Sequence, residues 1–301
     1  MDFEFSEERE ILRASVRAFL EANAPISAVR AAYDASTFDP AVWQGLVDLG
    51  VVGLGMVDSA VVLEELGRAV CPAPYIASAI GAAPYSSDIT RIGTIALNPT
   101  LDACAADEVY AIVDGEMCVT TDFVAEPITT VDGSRKVGRI IFSEAPTRRV
   151  NGPSVELTLD RMGVALAVDG VGAAQRALEL SVEYAKTRVQ FEQPIGAFQA
   201  VQHLCADMLR TVELGRAAAY YACWALDEAS AEEAHRAATL VRAFAADAFP
   251  QLAATAIQVF GGVGFTWEHD IHLYYKRLLS CSLLLGTASE HLAELAHLAI
   301  D

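Results

Sequence analysis

The sequence has little positive charge: 21 Lys and Arg stand against 40 Asp and Glu, which gives a formal net charge of −19. A surface of this sign repels phosphate backbones and anionic lipids, so nucleic acids and anionic membranes are poor partners. Charged and polar residues interrupt the apolar stretches, and we therefore expect no membrane-spanning helix. The first turns of the chain are acidic and amphipathic, which argues against a secretory signal.

Paired cysteines are also lacking, because the six cysteines lie far apart with no CxxC and no zinc-knuckle spacing. This spacing is typical of reduced thiols, so we expect a cytoplasmic protein without disulfides or a metal site. Other chemistries lack their motifs as well. Gln175 occupies the third glycine position of a dinucleotide-binding turn, His269 and His272 have no third ligand nearby, and no specific Ser-His-Asp combination is present.

The residues that are present follow an α–β–α order. Helical spacing of apolar residues, with Ser6 as the N-cap, predicts a helix over 5–22. Pro40 is predicted to begin a second helix, and residues 57–70 form a third. Residues 1–87 are therefore predicted to be a small N-terminal helical domain.

The pattern changes between residues 88 and 157, where short β-rich runs alternate with Asn-Pro, Asp-Gly and Glu-Pro turn signals. We predict a reduced β subdomain of about five strands there. Residues 158–301 are strongly helical again and predict a four-helix bundle. Its helices are expected at about 160–187, 199–228, 231–257 and 267–299. The predicted fold class is mainly α with a small β subdomain.

The densest motif covers residues 187–208, where one long helix is predicted to end at Arg188 and the next to begin at Phe198-Gln199. The guanidinium fork of Arg188 suits a diphosphate, and the free N–H groups of a helix start favour an anion. Phe191 has a ring that can lie against a planar ligand. The alternative is that Arg188 caps the preceding helix while Phe191 packs in the core.

Two glycine-containing segments carry weaker signals. Gly261-Gly262 allows a close approach of the backbone to a ligand or to another chain, and Gln258 lies one helical turn before it. Gly286-Thr287 offers a backbone break and a hydroxyl group. The alternative explanation for Gly261-Gly262 is an ordinary helix–helix turn. For Gly286-Thr287 the alternative is an ordinary helix start.

Taken in this order, the segments resemble the acyl-CoA dehydrogenase family. WQGLVDLGVVGL and VVLEELGRA are similar to its N-terminal domain, and RVQFEQPIGAFQAVQHLCADM and QVFGGVGF are similar to its C-terminal domain. The resemblance implies a helical domain, a middle β domain and a four-helix bundle, assembled as dimers of dimers around FAD. It also implies abstraction of the α-proton of an acyl-CoA by a carboxylate, with transfer of the β-hydride to the flavin.

The resemblance further implies which residues bind FAD, and most of them would serve a cofactor shared across a subunit interface. They are Arg188 for the diphosphate, Phe191, Phe198 and Gln199 for the adenosine end, Gln258, Gly261 and Gly262 for the neighbouring subunit's FAD, and Thr287 for FAD in its own subunit.

The chain departs from the family where the catalytic base is expected. Leu285 and Met162 occupy the two positions at which the family has its Glu, and neither side chain accepts a proton. Asp160, Asp169 and Glu192 remain as alternative bases.

The part of the site that binds the chain's own flavin is eroded too. Of the family's Thr-Glu-Pro…Gly-Ser-Asp stretch only Ala125-Glu126-Pro127 is left, and no Trp lies between Trp43 and Trp224. In addition, Glu192 replaces the family's usual Gly.

We therefore predict a smaller, base-lacking subunit of a heteromeric, α2β2-type acyl-CoA dehydrogenase, similar to those of steroid-degrading bacteria. Its partners would be a catalytic acyl-CoA dehydrogenase subunit, an acyl-CoA substrate and an electron-transferring flavoprotein. One alternative is a stand-alone homo-oligomeric dehydrogenase with a displaced carboxylate base. Another is a non-catalytic scaffold that binds no flavin.

Overall fold

The N-terminal part of the chain is helical. The computed structural model describes residues 6–35, 37–284 and 286–298. The Ser6 hydroxyl accepts the Arg9 N–H and the Asp39 carboxylate accepts the Ala41 N–H, so two helices begin where the sequence predicts. The elements are α1 (Glu7–Asn23), α2 (Ile26–Ala31), α3 (Pro40–Asp48), α4 (Met56–Arg68) and a π-helical segment (Ile76–Ala82).

The middle of the chain forms two small sheets. The strands are β1 (Gly93–Ile95), β2 (Thr100–Leu101), β3 (Glu108–Val113), β4 (Glu116–Thr120), β5 (Val124–Pro127), β6 (Val137–Ile141) and β7 (Arg148–Arg149). One sheet has the order β1-β3-β4-β7 and the other β2-β6-β5. About five strands were predicted, and the two sheets contain seven. The strands β2 and β7 have two residues each, and strands this short show no alternation of apolar and polar side chains that a sequence could reveal.

The C-terminal part is a helical bundle. It consists of α5 (Val155–Thr187), a hairpin of β8 (Val189–Gln190) and β9 (Gln193–Pro194), α6 (Gln199–Glu228), α7 (Ala231–Phe260), α8 (Ile271–Leu283) and α9 (Ala288–Leu298). The prediction of one continuous helix over 267–299 was wrong. Gly286 has φ +126°, outside the helical region, so α8 ends at Leu283 and α9 is separate.

The N-terminal helices and the bundle share one hydrophobic core. At their junction α4 and α5 touch backbone to backbone. A Cβ added to Gly67 would lie 1.9 Å from the Asp169 carbonyl oxygen, and one added to Gly172 would lie 1.9 Å from the Glu64 carbonyl oxygen. These two glycines therefore set the close crossing that positions the bundle.

Within the described residues the segment Ala231–Phe265 is long and apolar enough to cross a membrane by length and composition alone, so the prediction of no such helix was wrong by this criterion. In the structure its helix α7 packs against α5, α6, α8 and α9. Core helices of bundles meet the same criterion, so the segment is accounted for as the central helix of this bundle.

Candidate functional site

The C-terminal ends of α5 and α7 lie side by side at one end of the bundle. Tyr184 of α5 stacks on Phe260 of α7 with ring centroids 4.4 Å apart. His269, in the turn before α8, lies 4.3 Å from the Phe260 ring. This contact brings the segment after Arg188 and the segment around Gly261 to the same end of the bundle.

Arg188 ends α5 and leaves its side chain in solvent. Its backbone N–H donates to the Tyr184 carbonyl at 2.8 Å. Across residues 6–35, 37–284 and 286–298 its guanidinium makes no hydrogen bond or ion pair. Capping of the preceding helix by this side chain is therefore not observed, and the guanidinium is available to a group outside the chain.

The hairpin after Arg188 presents an aromatic ring outward. Phe191 is 88% exposed, so it does not pack in the core; its only ring contact among the described residues is with Phe198, at 6.1 Å. Phe191 and Glu192 form the two-residue turn with φ of +51° and +66°. A turn of this kind favours Gly or Asn, so holding Phe and Glu there strains the backbone.

The start of α6 adds uncapped backbone donors next to this hairpin. No side chain caps the helix at Phe198, and Gln199, its first residue, is exposed. The Gln202 amide donates to the Gly196 carbonyl at 2.9 Å, which fixes the turn before the helix. An anion at this position would meet the positive end of the α6 dipole.

The glycine turn after α7 is open on its outer side. A Cβ built on Gly261 or on Gly262 has no atom within 4 Å, and Gly261 has φ +63°. Gln258 is exposed one helical turn earlier. No contact within the described part of the chain requires a glycine at position 262. Close approach of another molecule therefore explains the glycine better than packing within the chain does.

Thr287 is separated from these residues, because it lies at the start of α9. Its N–H donates to the Glu290 carboxylate at 2.7 Å and its hydroxyl accepts the Glu290 N–H at 3.4 Å, which forms a capping box. Glu294 of α9 lies 3.2 Å from His235, near the start of α7, so α9 meets α7 near the end opposite the glycine turn. Thr287 thus has a helix-start role within the chain, and its assignment to FAD stays a prediction.

Of the two expected base positions, Met162 is fully buried in α5. Its sulfur lies 3.1 Å from the point where a Cβ on Gly81 would stand, and so does a carbon of Ile95. Met162 therefore fills the space between α5 and the π-helical segment. Leu285 lies outside the described residues.

Asp169 is held by two arginines and is unsuited to act as a base. Its carboxylate accepts hydrogen bonds from the Arg277 guanidinium at 2.6 and 2.9 Å and from the Arg135 guanidinium at 2.7 Å. Asp169 is 1% exposed. Burial opposes its charge, but the two guanidinium groups outweigh burial and lower the pKa of Asp169. A carboxylate with a lowered pKa is a weak proton acceptor.

The other two alternative bases are no better placed. Burial raises the pKa of Asp160, but its carboxylate is bonded to His235 at 2.8 Å and to Arg242 at 3.1 Å and is enclosed among these partners. Glu192 is exposed at the tip of the hairpin. Each carboxylate is thus either engaged within the bundle or far out in solvent.

The loop between β5 and β6 fills the junction between the N-terminal helices and the bundle. Arg135 from this loop pairs with Asp169, and Arg277 donates to the Ser134 carbonyl at 3.3 Å. The Lys136 ammonium donates to carbonyls of Ala32, Ala35 and Gly133 at 2.6–2.8 Å. The loop is therefore anchored to both the N-terminal helices and the bundle.

Sequence reasoning missed Asp102, a buried carboxyl group next to this loop. Burial raises the pKa of Asp102 to about 7, although Arg135, Arg277 and Lys136 oppose the rise. A raised pKa suits a general base, but Asp102 lines a cavity of only about 10 Å³, which has room for one water and none for a thioester. No local motif marks this residue, since its environment comes from distant elements.

Comparison with known families gives two matches along the chain. The family model of the "Acyl-CoA dehydrogenase, N-terminal domain" matches residues 6–98. The model of the "Acyl-CoA dehydrogenase, C-terminal domain" matches residues 153–298. Among curated proteins, the chain is 35% identical to acyl-CoA dehydrogenase IpdE2 of Mycobacterium tuberculosis, and the alignment covers 96% of each protein.

Solved structures of similar fold include chains from two-protein complexes. A Tcur3481-Tcur3483 steroid ACAD variant matches with a TM-score of 0.90 at 23% identity, over 98% of each chain. The ChsE4-ChsE5 complex from Mycobacterium tuberculosis matches with a TM-score of 0.89 at 23% identity, over 100% of this chain and 99% of that one. At this level of identity the likeness shows the fold.

Proposed function

Because the chain belongs to the acyl-CoA dehydrogenase family, we propose that it is the subunit of a heteromeric enzyme that lends FAD-binding residues to a catalytic partner. Enzymes of this family are FAD-dependent oxidoreductases that act on acyl-CoA thioesters. In this assignment the partner subunit carries the base, and this chain completes the cofactor site.

The observation that carries the proposal is the contrast between the two half-sites of the chain. At the bundle end, Arg188 and Phe191 point into solvent and Gly262 has open space around it. At the junction with the β subdomain, the ion pair of Arg135 with Asp169 occupies the interior. The bundle end, at which we propose that a neighbour's FAD binds, is thus open, whereas the junction with the β subdomain is closed by this ion pair.

The residues at the bundle end fit FAD chemically. The Arg188 guanidinium and the uncapped start of α6 match a diphosphate. Phe191 offers a face for adenine, and the Gln199 and Gln258 amides offer polar contacts. When bound, FAD supplies the hydride acceptor of the reaction. The residues of this chain bind and orient it, and no carboxylate described above is placed to take the substrate's α-proton.

The names of two structural relatives support the partner and the substrate class of this proposal. Two of the solved structures with the same fold are named as two-protein complexes, and one of them is named as a steroid enzyme. We assign this chain to an α2β2-type assembly that oxidises a bulky, steroid-derived acyl-CoA. The electron acceptor in this assignment is an electron-transferring flavoprotein, as in the family.

A stand-alone enzyme would require a catalytic base at a displaced position. The surroundings of each candidate carboxylate argue against that role. Asp169 and Asp160 are held by arginine and histidine partners, and Glu192 lies at an exposed hairpin tip. If the chain were a scaffold that binds no flavin, neither the exposed Arg188 side chain nor the strained backbone turn at Phe191 would be explained.

Co-expression with a catalytic acyl-CoA dehydrogenase subunit tests the proposal. The purified chain alone should be colourless, and the complex should be yellow, with FAD released on denaturation. A yellow and active homo-oligomer would favour the stand-alone enzyme. A complex that forms but stays colourless would favour the scaffold.

A further inference from the structure

A cluster of charged side chains joins three helices at the end of the bundle opposite the glycine turn. His235 of α7 lies at its centre, with Nδ1 2.8 Å from the Asp160 carboxylate of α5. Its Nε2 lies 3.2 Å from the Glu294 carboxylate of α9 and 3.9 Å from Glu156 of α5. Arg242 of α7 contacts both Asp160, at 3.1 Å, and Glu294, at 3.7 Å.

This geometry suits only the charged form of the histidine. A neutral imidazole donates from one nitrogen and presents a lone pair at the other. If Nδ1 donates to Asp160, a neutral ring would turn its Nε2 lone pair toward the Glu294 carboxylate, which repels it. The imidazolium donates from both nitrogens and so joins α5 to α9 through one ring.

Helix α9 packs along α7 but buries few of its own side chains. His291 is its only buried side chain within Ala288–Leu298, and Leu292 is 57% exposed. The His291 ring lies against Gly286, where an added Cβ would come within 2.8 Å of it. The position of the Gly286-Thr287 turn therefore depends on how α9 is attached, and Glu294 provides its charged contacts to α7.

We propose that protonated His235 is a clamp that helps to fix α9, and with it the Gly286-Thr287 turn, onto α5 and α7, and that loss of this proton weakens the attachment of α9. The charged and titratable groups around the ring are Glu156 and Asp160 from α5, Arg242 from α7, and Glu294 with its neighbour His291 from α9; Glu290 and His297 of α9 line the same cavity. The clamp does not depend on flavin binding, so it can be tested apart from the proposed function.

The direction of the pH dependence follows from the surroundings of the ring. Burial opposes the charge of His235, but the hydrogen bond to Asp160 and the negative charges around the ring raise its pKa above 6.5. The clamp is thus fully formed below pH 6.5 and is lost as the pH rises through the raised value.

Hydrogen exchange of the α9 amides in the full-length chain measures the clamp directly. Expressed as protection factors, which remove the intrinsic effect of pH, protection should fall about fivefold between about pH 6 and about pH 9. His235→Gln should give low protection at both pH values, and His235→Arg, which keeps a charge, should give high protection at both. The matched control His203→Gln, on the exposed side of α6, should behave as wild type.

Glu294→Gln provides a second test that leaves the contact between α5 and α7 in place. It should weaken α9 and abolish its pH dependence while α5 and α7 stay protected. The proposal is overturned if wild-type α9 is equally protected at both pH values. It is also overturned if the His235→Gln and Glu294→Gln proteins fold and keep the wild-type pH dependence.

Discussion

Arg135 and Asp169 form a buried ion pair, with Nη2 and Oδ2 2.7 Å apart, that joins the β subdomain to the longest helix of the bundle. Arg277 of α8 completes the group from the other side. A buried carboxylate between two arginines is a structural arrangement, because removing one partner leaves uncompensated charge in a medium that solvates it poorly. The same arrangement excludes Asp169 as a displaced catalytic base.

Replacing this carboxylate should therefore affect folding. Asp169→Asn is expected to lower the free energy of unfolding by about 3–5 kcal/mol, since two arginines lose their counter-charge. Urea unfolding followed by circular dichroism measures the change. Asp247→Asn, at an exposed site on α7, is the matched control and should have almost no effect. A mutant of normal stability that has lost turnover would instead identify Asp169 as the base.

Asp102 should make stability fall as the pH rises. Its pKa is about 7 in the folded protein, against 3.8 for an ordinary Asp, so the folded state binds the proton more tightly. The stabilisation is complete below pH 3.8 and is lost by about pH 7. Asp102→Asn should therefore gain about 2–4 kcal/mol relative to wild type at about pH 8, and little at about pH 4. An equal difference at both pH values would contradict the buried, ionising carboxyl group.

Glu192 should be replaceable by Gly with a gain in stability. Its φ of +66° costs an L-residue about 1 kcal/mol that glycine does not incur. Glu192→Gly should raise the free energy of unfolding by about 0.5–1 kcal/mol, measured by thermal unfolding. Glu192→Ala removes the charge but keeps the Cβ, and should give no gain. If the two variants behave alike, charge and not backbone strain governs the turn.

Gly262 should matter to assembly and not to the fold of the chain. Because a Cβ there has open space around it, Gly262→Val should leave the helix content of the isolated chain nearly unchanged. It should weaken binding of the partner or of FAD, measured by size-exclusion chromatography and by flavin absorbance. Gly172→Val is the opposite case, since its Cβ would lie 1.9 Å from a carbonyl oxygen of α4. That variant should lose helix content in the isolated chain.

The helices were predictable where local chemistry fixes their ends. Ser6 and Pro40 mark the starts of α1 and α3, and the helix starting after Phe198 was found from its motif. The sequence offers a backbone break at Gly286-Thr287, yet the same sequence predicts one helix over 267–299. A single glycine does not reveal in sequence whether its φ is positive.

In the candidate site, too, the features set by local sequence were predictable and those set by tertiary packing were not. The motif around Arg188 could be identified from sequence, but whether Phe191 lies in the core or in solvent depends on the hairpin turn, so both explanations stood open. The filled junction at Asp169 and the clamp at His235 could not be predicted. Their partners lie 34 and 75 residues apart in sequence, and only tertiary packing brings them together.

The most direct test of the account is the FAD affinity of the assembled complex with Arg188 replaced. Arg188 has no partner among the described residues, so Arg188→Ala should leave stability unchanged while it removes a charge-assisted contact to the diphosphate. Such contacts are worth about 1.5–3 kcal/mol, so the FAD dissociation constant should rise about 10- to 100-fold. Arg139→Ala, at an exposed position on β6, should bind FAD as wild type does. A complex with Arg188→Ala that retains FAD through dilution as well as wild type would contradict the claim that this chain completes its partner's cofactor site.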